Sequence, residues 1–161
     1  MMKVEGGEGR SKRRRPIRVG AIVMREGKAL AIRHAHPDPE TEYWVLPGGG
    51  LEPGETPMEC AVRELLEETL LEATAVRLAC VIDQPHRKGR ELSLYFICDP
   101  KPGAAEPAAE LKERDRGFTH ELVWIEPEQL AGKRLFPVAL RDAFADGSLL
   151  EDSGPFVYFE E

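Results

Sequence analysis

Trp44-Val45-Leu46-Pro47-Gly48-Gly49-Gly50-Leu51-Glu52-Pro53-Gly54-Glu55-Thr56-Pro57-Met58-Glu59-Cys60-Ala61-Val62-Arg63-Glu64-Leu65-Leu66-Glu67-Glu68-Thr69-Leu70 reads as an aromatic strand that breaks into glycines, a polar turn, and then a helix. Thr56 suits the N-cap, Pro57 the first helical position, and Glu59 completes a capping box with Thr56. Met58, Ala61, Val62, Leu65 and Thr69 then recur at helical spacing and make one apolar stripe that can pack on a sheet. Glu64, Glu67 and Glu68 fall within a wedge about 100° wide on another face, with Glu68 at the edge of the stripe. Carboxylates held that close repel by roughly 1 kcal/mol or more per pair at an effective dielectric near 20. Binding a hard divalent cation removes that repulsion, and oxygen donors are the ligands magnesium prefers. An acidic solvated face would have the same residues, so the glycines in front carry the discrimination. There the backbone can approach a ligand closely.

Outward from this stretch, Ile17–Met24 and Ala29–Arg33 read as strands around the turn Arg25-Glu26-Gly27-Lys28. His34–Glu42 reads as a loop and Tyr43–Leu46 as a short strand. Val76–Asp83 and Glu91–Cys98 read as strands joined by the polar turn Gln84–Arg90. The Pro-, Ala- and charge-rich segment Asp99–Thr119 reads as a long loop, with a helical turn at Ala108–Glu113. Glu121–Ile125 closes the set of strands, and short helices follow at Pro127–Leu130 and Pro137–Phe144. Strands first, a helix in the middle and helices at the end predict an α/β (α+β) fold, a mixed sheet packed between helices.

The spacing has a further consequence. Five residues separate Gly49 from Glu55, and seven separate Glu55 from Arg63-Glu64-Leu65-Leu66-Glu67-Glu68. That arrangement resembles the Nudix box, and the chain is similar to the Nudix (MutT-like) hydrolases over about residues 17–145. The resemblance implies a Nudix-type α/β/α sandwich and a hydrolase that cleaves the diphosphate linkage of a nucleoside diphosphate derivative or a related pyrophosphate. It implies Mg²⁺, with Mn²⁺ as a substitute, held by Glu64, Glu67 and Glu68. Glu55 would be an auxiliary ligand or would orient the helix, and Arg63 would pair with a box carboxylate, Glu55 first. The general base would be Glu67 or one of Glu110, Glu113 and Glu121. A non-catalytic nucleotide sensor on the same fold is the alternative. Such proteins usually lose box carboxylates, and here all four remain.

Trp44, Tyr43 and Phe136 are candidates to stack a base, Arg33 and His34 stand at a strand end, and the Gly49 backbone is a further substrate or metal contact. Trp44 reads equally well as core. Pro85 lies near the position that some ADP-ribose hydrolases use. One residue departs from the family pattern: Leu70 stands where a glycine is expected two residues after the last box glutamate. Leucine adopts positive φ poorly, so the helix is expected to run on toward Glu72 or to end in a different turn.

The 161 residues fit one domain over 16–161, preceded by a basic arm over 1–15. The arm holds six basic and two acidic residues, leaving 16 basic against 27 acidic, a net −11, for the body of a chain whose total is −7. An acidic body argues against nonspecific nucleic-acid binding, the arm being the one basic signal, and an anionic substrate would call for a cation to offset the repulsion. Cys60, Cys80 and Cys98 are sparse and without metal spacing, so they read as buried thiols in a reducing, cytoplasmic compartment. No run is apolar and long enough to cross a membrane, and the N-terminus lacks the cleavage pattern of a secretory signal. A homodimer is admitted, though no residue pattern selects it.

Overall fold

In the computed structural model the described residues are 16–87, 89–104, 110–111, 119–151 and 157–160, with residues 110–111 described through their backbone. The basic arm and Glu113 therefore lie outside them. The strands are β1 (Ile17–Ile22), β2 (Met24–Arg25), β3 (Lys28–Ala35), β4 (Tyr43–Val45), β5 (Gly48–Gly50), β6 (Ala73–His86), β7 (Gly89–Pro100), β8 (Glu110–Leu111), β9 (Thr119–Ile125), β10 (Leu135–Phe136) and β11 (Val157–Glu160). The helices are α1 (Pro57–Thr69), α2 (Pro127–Ala131) and α3 (Ala139–Ala145).

The α+β class and the mixed pairing are as expected, but the strands divide between two sheets. One runs β11-β6-β7-β1-β5; the other runs β10-β4-β3-β9-β8, with β2 paired to β3. β1–β7, β11–β6 and β10–β4 pair parallel, and the remaining neighbours antiparallel. The division begins at Val23, where the run expected to be one strand breaks. β1 goes to β7 and β5, whereas only Met24 and Arg25 form the tight hairpin with β3. That turn uses Glu26 (φ 51°) and Gly27 (φ 78°), two positive-φ residues whose twist suits a two-residue hairpin. The sheets are stitched by Ala21 N–H to Pro47 O at 2.9 Å and Leu30 N–H to Val23 O at 3.0 Å.

Alternation along β1 and β3 sends side chains to two cores. Val19, Ala21, Val23 and Leu30 meet Cys60, Ala61 and Leu65 of α1. Ile22, Ala29 and Ala31 face the opposite way, toward Leu130 of α2 and Leu140, Ala143 and Phe144 of α3. The strands thus lie between α1 and the α2–α3 pair, the sandwich that period-2 strands covered on both faces must form. Elsewhere the elements outgrow their expected bounds. β6 and β7 run through most of the predicted polar turn, and Glu110–Leu111 pair with β9 as a strand where a helical turn was expected. On α1 the buried residues are Cys60, Ala61, Leu65 and Thr69, while Met58 is 40% exposed, so the apolar stripe is rotated from the predicted one.

The helix does not continue to Glu72. It ends at Leu70, which takes the left-handed conformation (φ 61°, ψ 12°) that the missing glycine would supply, its N–H donating to Leu66 O at 2.9 Å. Thr69 Oγ1 donates to Leu65 O at 2.6 Å and accepts from Leu71 N–H at 3.1 Å, so a side chain helps close the helix. The left-handed residue costs about 1–2 kcal/mol for leucine. Turning there buries Leu71 fully, a gain of about 1.5–3 kcal/mol, so burial outweighs the backbone penalty. Leu70 itself is 61% exposed. Leu70→Gly is accordingly expected to raise stability by about 0.5 kcal/mol, relief of strain being partly offset by the freer unfolded chain. Urea unfolding with an unchanged m-value measures this, and a loss above about 1 kcal/mol would contradict it.

Candidate active site

The capping box fixes where α1 starts: Thr56 Oγ1 accepts from Glu59 N–H at 3.3 Å, and Glu59 Oε2 accepts from Thr56 N–H at 2.7 Å. From that start, the helix lies against β5. A Cβ on Gly49 would collide with the Glu64 carboxylate, so only glycine lets that side chain press on the strand. A Cβ on Gly48 would meet the Val19 carbonyl and the Gly20 backbone. Gly48 N–H donates to Glu68 Oε2 at 2.8 Å.

Arg63 gathers the remaining box carboxylates. Its Nε and Nη2 donate to both oxygens of Glu55 at 3.0 and 2.7 Å, and Nη1 reaches Glu64 at 2.8 Å and Glu67 at 3.4 Å. Nη2 also reaches Gly50 O at 3.2 Å, tying helix to strand. The Arg63 hydrogen bonds, joined by the Glu52 backbone N–H, hold the Glu55 carboxyl down at about 2. The same bonds to Glu55 and Glu64 raise Arg63 beyond its ordinary value. Cys60 is buried beneath this network, and burial first, then Glu55, pushes its thiol up to about 12. All three cysteines are buried thiols.

The four glutamates are therefore held together around Gly48–Gly50. Among the described residues no three His, Cys, Asp or Glu side chains are set in a ready metal-binding array. The reason is visible in the contacts: Arg63 and the Gly48 N–H already satisfy these carboxylates. As donors they are all oxygen, and one arginine offsets only one of four negative charges, so the set suits a hard cation. Both oxygens of Glu55 accept hydrogen bonds, from Arg63 and from the Glu52 N–H, which ties it to the helix.

Beside the glycine strand lies a cavity of about 560 Å³, lined by Gly48, Glu68, Arg18, His34, Tyr43 and Phe136, with Gln84 and Pro85 among others. Register explains its aromatic wall. His34 lies opposite both Tyr43 and His120 in the sheet. The His34 and Tyr43 rings stack at 4.2 Å, His120 sits 4.1 Å from His34, and Phe136 meets Tyr43 edge-on at 6.2 Å.

Phe136 is thus placed at the cavity with Glu68, whereas Gly49, Glu55, Arg63, Glu64 and Glu67 lie off its lining, as do Trp44, Arg33 and Glu121. Trp44 alternates away from Tyr43 and Val45 into the core at 5% exposure, its Nε1–H donating to Glu42 at 3.0 Å. Arg33, one residue out of phase with His34, bonds Glu42 at 2.7 Å and Glu121 at 3.0 Å. Neither Arg33 nor Glu121 lines the cavity, and Glu121, one of the residues expected as a base, pairs with Arg33. Arg18, Gln84 and Tyr95 were missed, because strand residues give no sign of which cavity they face until the sheets are assembled.

A family model described as the NUDIX domain matches residues 14–146. The chain belongs to the Nudix family. As a Nudix chain it is a pyrophosphohydrolase, acting on diphosphate bonds. A MutT-like protein of Streptomyces ambofaciens is 30% identical over 140 residues, which are 86% of this chain and 78% of that protein. An ADP-ribose pyrophosphatase of Methanocaldococcus jannaschii is 34% identical over 101 residues, 62% of this chain and 59% of that protein. The MutT protein of Methanosarcina mazei Go1 superposes with a TM-score of 0.63 at 23% identity, covering 86% of this chain and 96% of that one, a likeness of fold. Among the described residues, no helix is long and apolar enough to cross a membrane.

In this Nudix cavity, burial first, then His120 and Arg18, lower the His34 imidazole to about 4. The unfolded chain, with an ordinary histidine near 6.5, therefore binds more protons between these values. His34 is expected to titrate near pH 4 by NMR, and its contribution to stability to be complete above about pH 6.5 and to fall as pH drops toward 4. A midpoint near 6.5 would contradict the desolvated placement.

Proposed function

We propose that the chain hydrolyses nucleoside diphosphates linked to a further group, in a reaction dependent on Mg²⁺ with Mn²⁺ able to substitute. The observation that carries this reading is the Gly48 N–H bond to Glu68, with both residues on the cavity lining. Glu64 and Glu68, with the Gly49 carbonyl, would hold the cation, and Glu67 completes the set. The cation supplies neutralisation of phosphate oxygens and a bound water of lowered pKa.

The rest falls to the protein's own groups. Gly48–Gly50 bring backbone within reach of the phosphates, as bulkier residues would not. Arg63 keeps Glu55 and Glu64 from repelling each other while tying the strand to the helix. Glu67 is the most exposed of the three carboxylates on Arg63, at 59% of its side chain, and its contact is the longest. It is the carboxylate most available to take a proton from the attacking water. Glu110 and Glu113 fall outside what side-chain geometry describes, and Glu121 is engaged by Arg33. The aromatic wall of Tyr43, His34 and Phe136 supplies a face for a nucleobase, with Pro85 on the cavity lining. The ADP-ribose pyrophosphatase named above places ADP-ribose first among substrates to try.

Assayed with magnesium against a panel of nucleoside diphosphate derivatives, the wild type should hydrolyse at least one. Glu68→Gln should lower that rate by about two orders of magnitude, the usual size of a central electrostatic group. A chelator should abolish it. Equal rates for the variant and the wild type, or indifference to chelator, would remove the metal-dependent mechanism.

A further inference from the structure

Arg18 stands on β1 opposite Gly50 and shares a face with Gly20, two residues on. The Tyr95 ring fills the space over Gly20, where a Cβ would collide with it, and the ring is 2% exposed. Arg18 and Tyr95 both line the cavity beside Gly48. Arg18 Nη2 donates to Gly48 O at 2.6 Å, and the N–H of the same Gly48 donates to Glu68 Oε2 at 2.8 Å. An arginine, one glycine and the last box glutamate therefore form a continuous chain along the cavity wall.

The cavity's charge gives this chain a function. A diphosphate brings at least two negative charges, and Glu68 adds another. Among the described residues that line the cavity, Arg18 and His34 are the basic side chains, and burial lowers His34 to about 4, which leaves Arg18 to meet that charge. A guanidinium has five donors in a planar fork, so the bond to Gly48 O orients it without exhausting it. Such a held fork matches the oxygens of a phosphate at little further entropic cost.

We propose that Arg18 is the phosphate anchor of the cavity, binding oxygens of the nucleotide's diphosphate while holding Glu68 in place through Gly48. This rests on the reading of the cavity as the nucleotide site. Arg18 thus acts twice: on the substrate by direct contact, and on the box by fixing the peptide that Glu68 grips.

Calorimetric binding of ADP and UDP in the presence of chelator tests the anchor apart from any metal, with adenosine and uridine as phosphate-free controls. Arg18→Gln should weaken the better nucleotide about tenfold or more, and Arg18→Lys by less, with nucleoside binding unchanged. For a hydrolysed substrate, Arg18→Gln should raise KM by a larger factor than it lowers kcat. Should Arg18→Gln fail to fold, as judged by thermal melting, Arg18→Lys carries the test and should still weaken nucleotide about threefold. Unchanged nucleotide affinity, an equal loss for nucleoside, or no binding of either nucleotide by the wild type without metal overturns the proposal. Loss of activity in Glu68→Gln with an unaffected Arg18→Gln would sink the anchor alone and leave the metal-dependent hydrolysis standing.

Discussion

Everything at the site depends on the absence of two side chains. Gly49 brings β5 so near to α1 that the Glu64 carboxylate occupies the place of a Cβ, and Gly48, close against the β1 backbone, bonds Glu68 through its N–H. A helix carrying three carboxylates in a turn and a half gains nothing from that approach by itself, since the charges repel. The approach is tolerable because backbone N–H donors and one guanidinium supply the compensation, and hydrogen bonds to charged groups are the stronger kind. Take away the glycines and the carboxylates must retreat from the strand, and with them the contact between helix and cavity.

Arg63 compensates unequally. Glu55 receives two short bonds, Glu64 one at 2.8 Å, and Glu67 one at 3.4 Å. The side chains follow the same order, Glu55 and Glu64 shielded and Glu67 mostly exposed. A single residue thereby distinguishes three identical side chains, one gripped by both oxygens, one by a single short bond and one left mostly exposed. Their positions along the helix and the turn, not their chemistry, set that order. Lysine could not do the same, because a point charge lacks the fork that holds Glu55 by both oxygens.

How much of this is legible in the residues follows from how local each feature is. Thr56, Pro57 and Glu59 announce the helix start within four residues, and the spacing of Gly49, Glu55, Arg63, Glu64, Glu67 and Glu68 announces the box. Both are short-range patterns written in adjacent turns of chain. The division into two sheets is not of this kind. It turns on Val23 leaving one ladder for another, and on β1 pairing with β7 some 75 residues away. The cavity inherits that difficulty. Trp44 and Tyr43 are equally aromatic and adjacent, and only the register of β4 on β3 decides that Tyr43 joins the wall while Trp44 joins the core. Arg33 and His34 exchange roles for the same reason.

Leu70 shows the opposite failure, a local rule applied too strictly. Leucine's reluctance to take positive φ is real, but it is worth only about 1–2 kcal/mol. Leu71 must enter the core and Ala73 must begin β6, and both require the chain to turn at that point. Full burial of one leucine exceeds the local penalty, and the Thr69 side chain lowers it further by bonding across the turn. The helix end is consequently decided by what lies after it. A glycine in that position would make the turn easy, but it is not what makes the turn necessary. The box upstream keeps its geometry because the tertiary demand, rather than the identity of the capping residue, fixes where α1 stops.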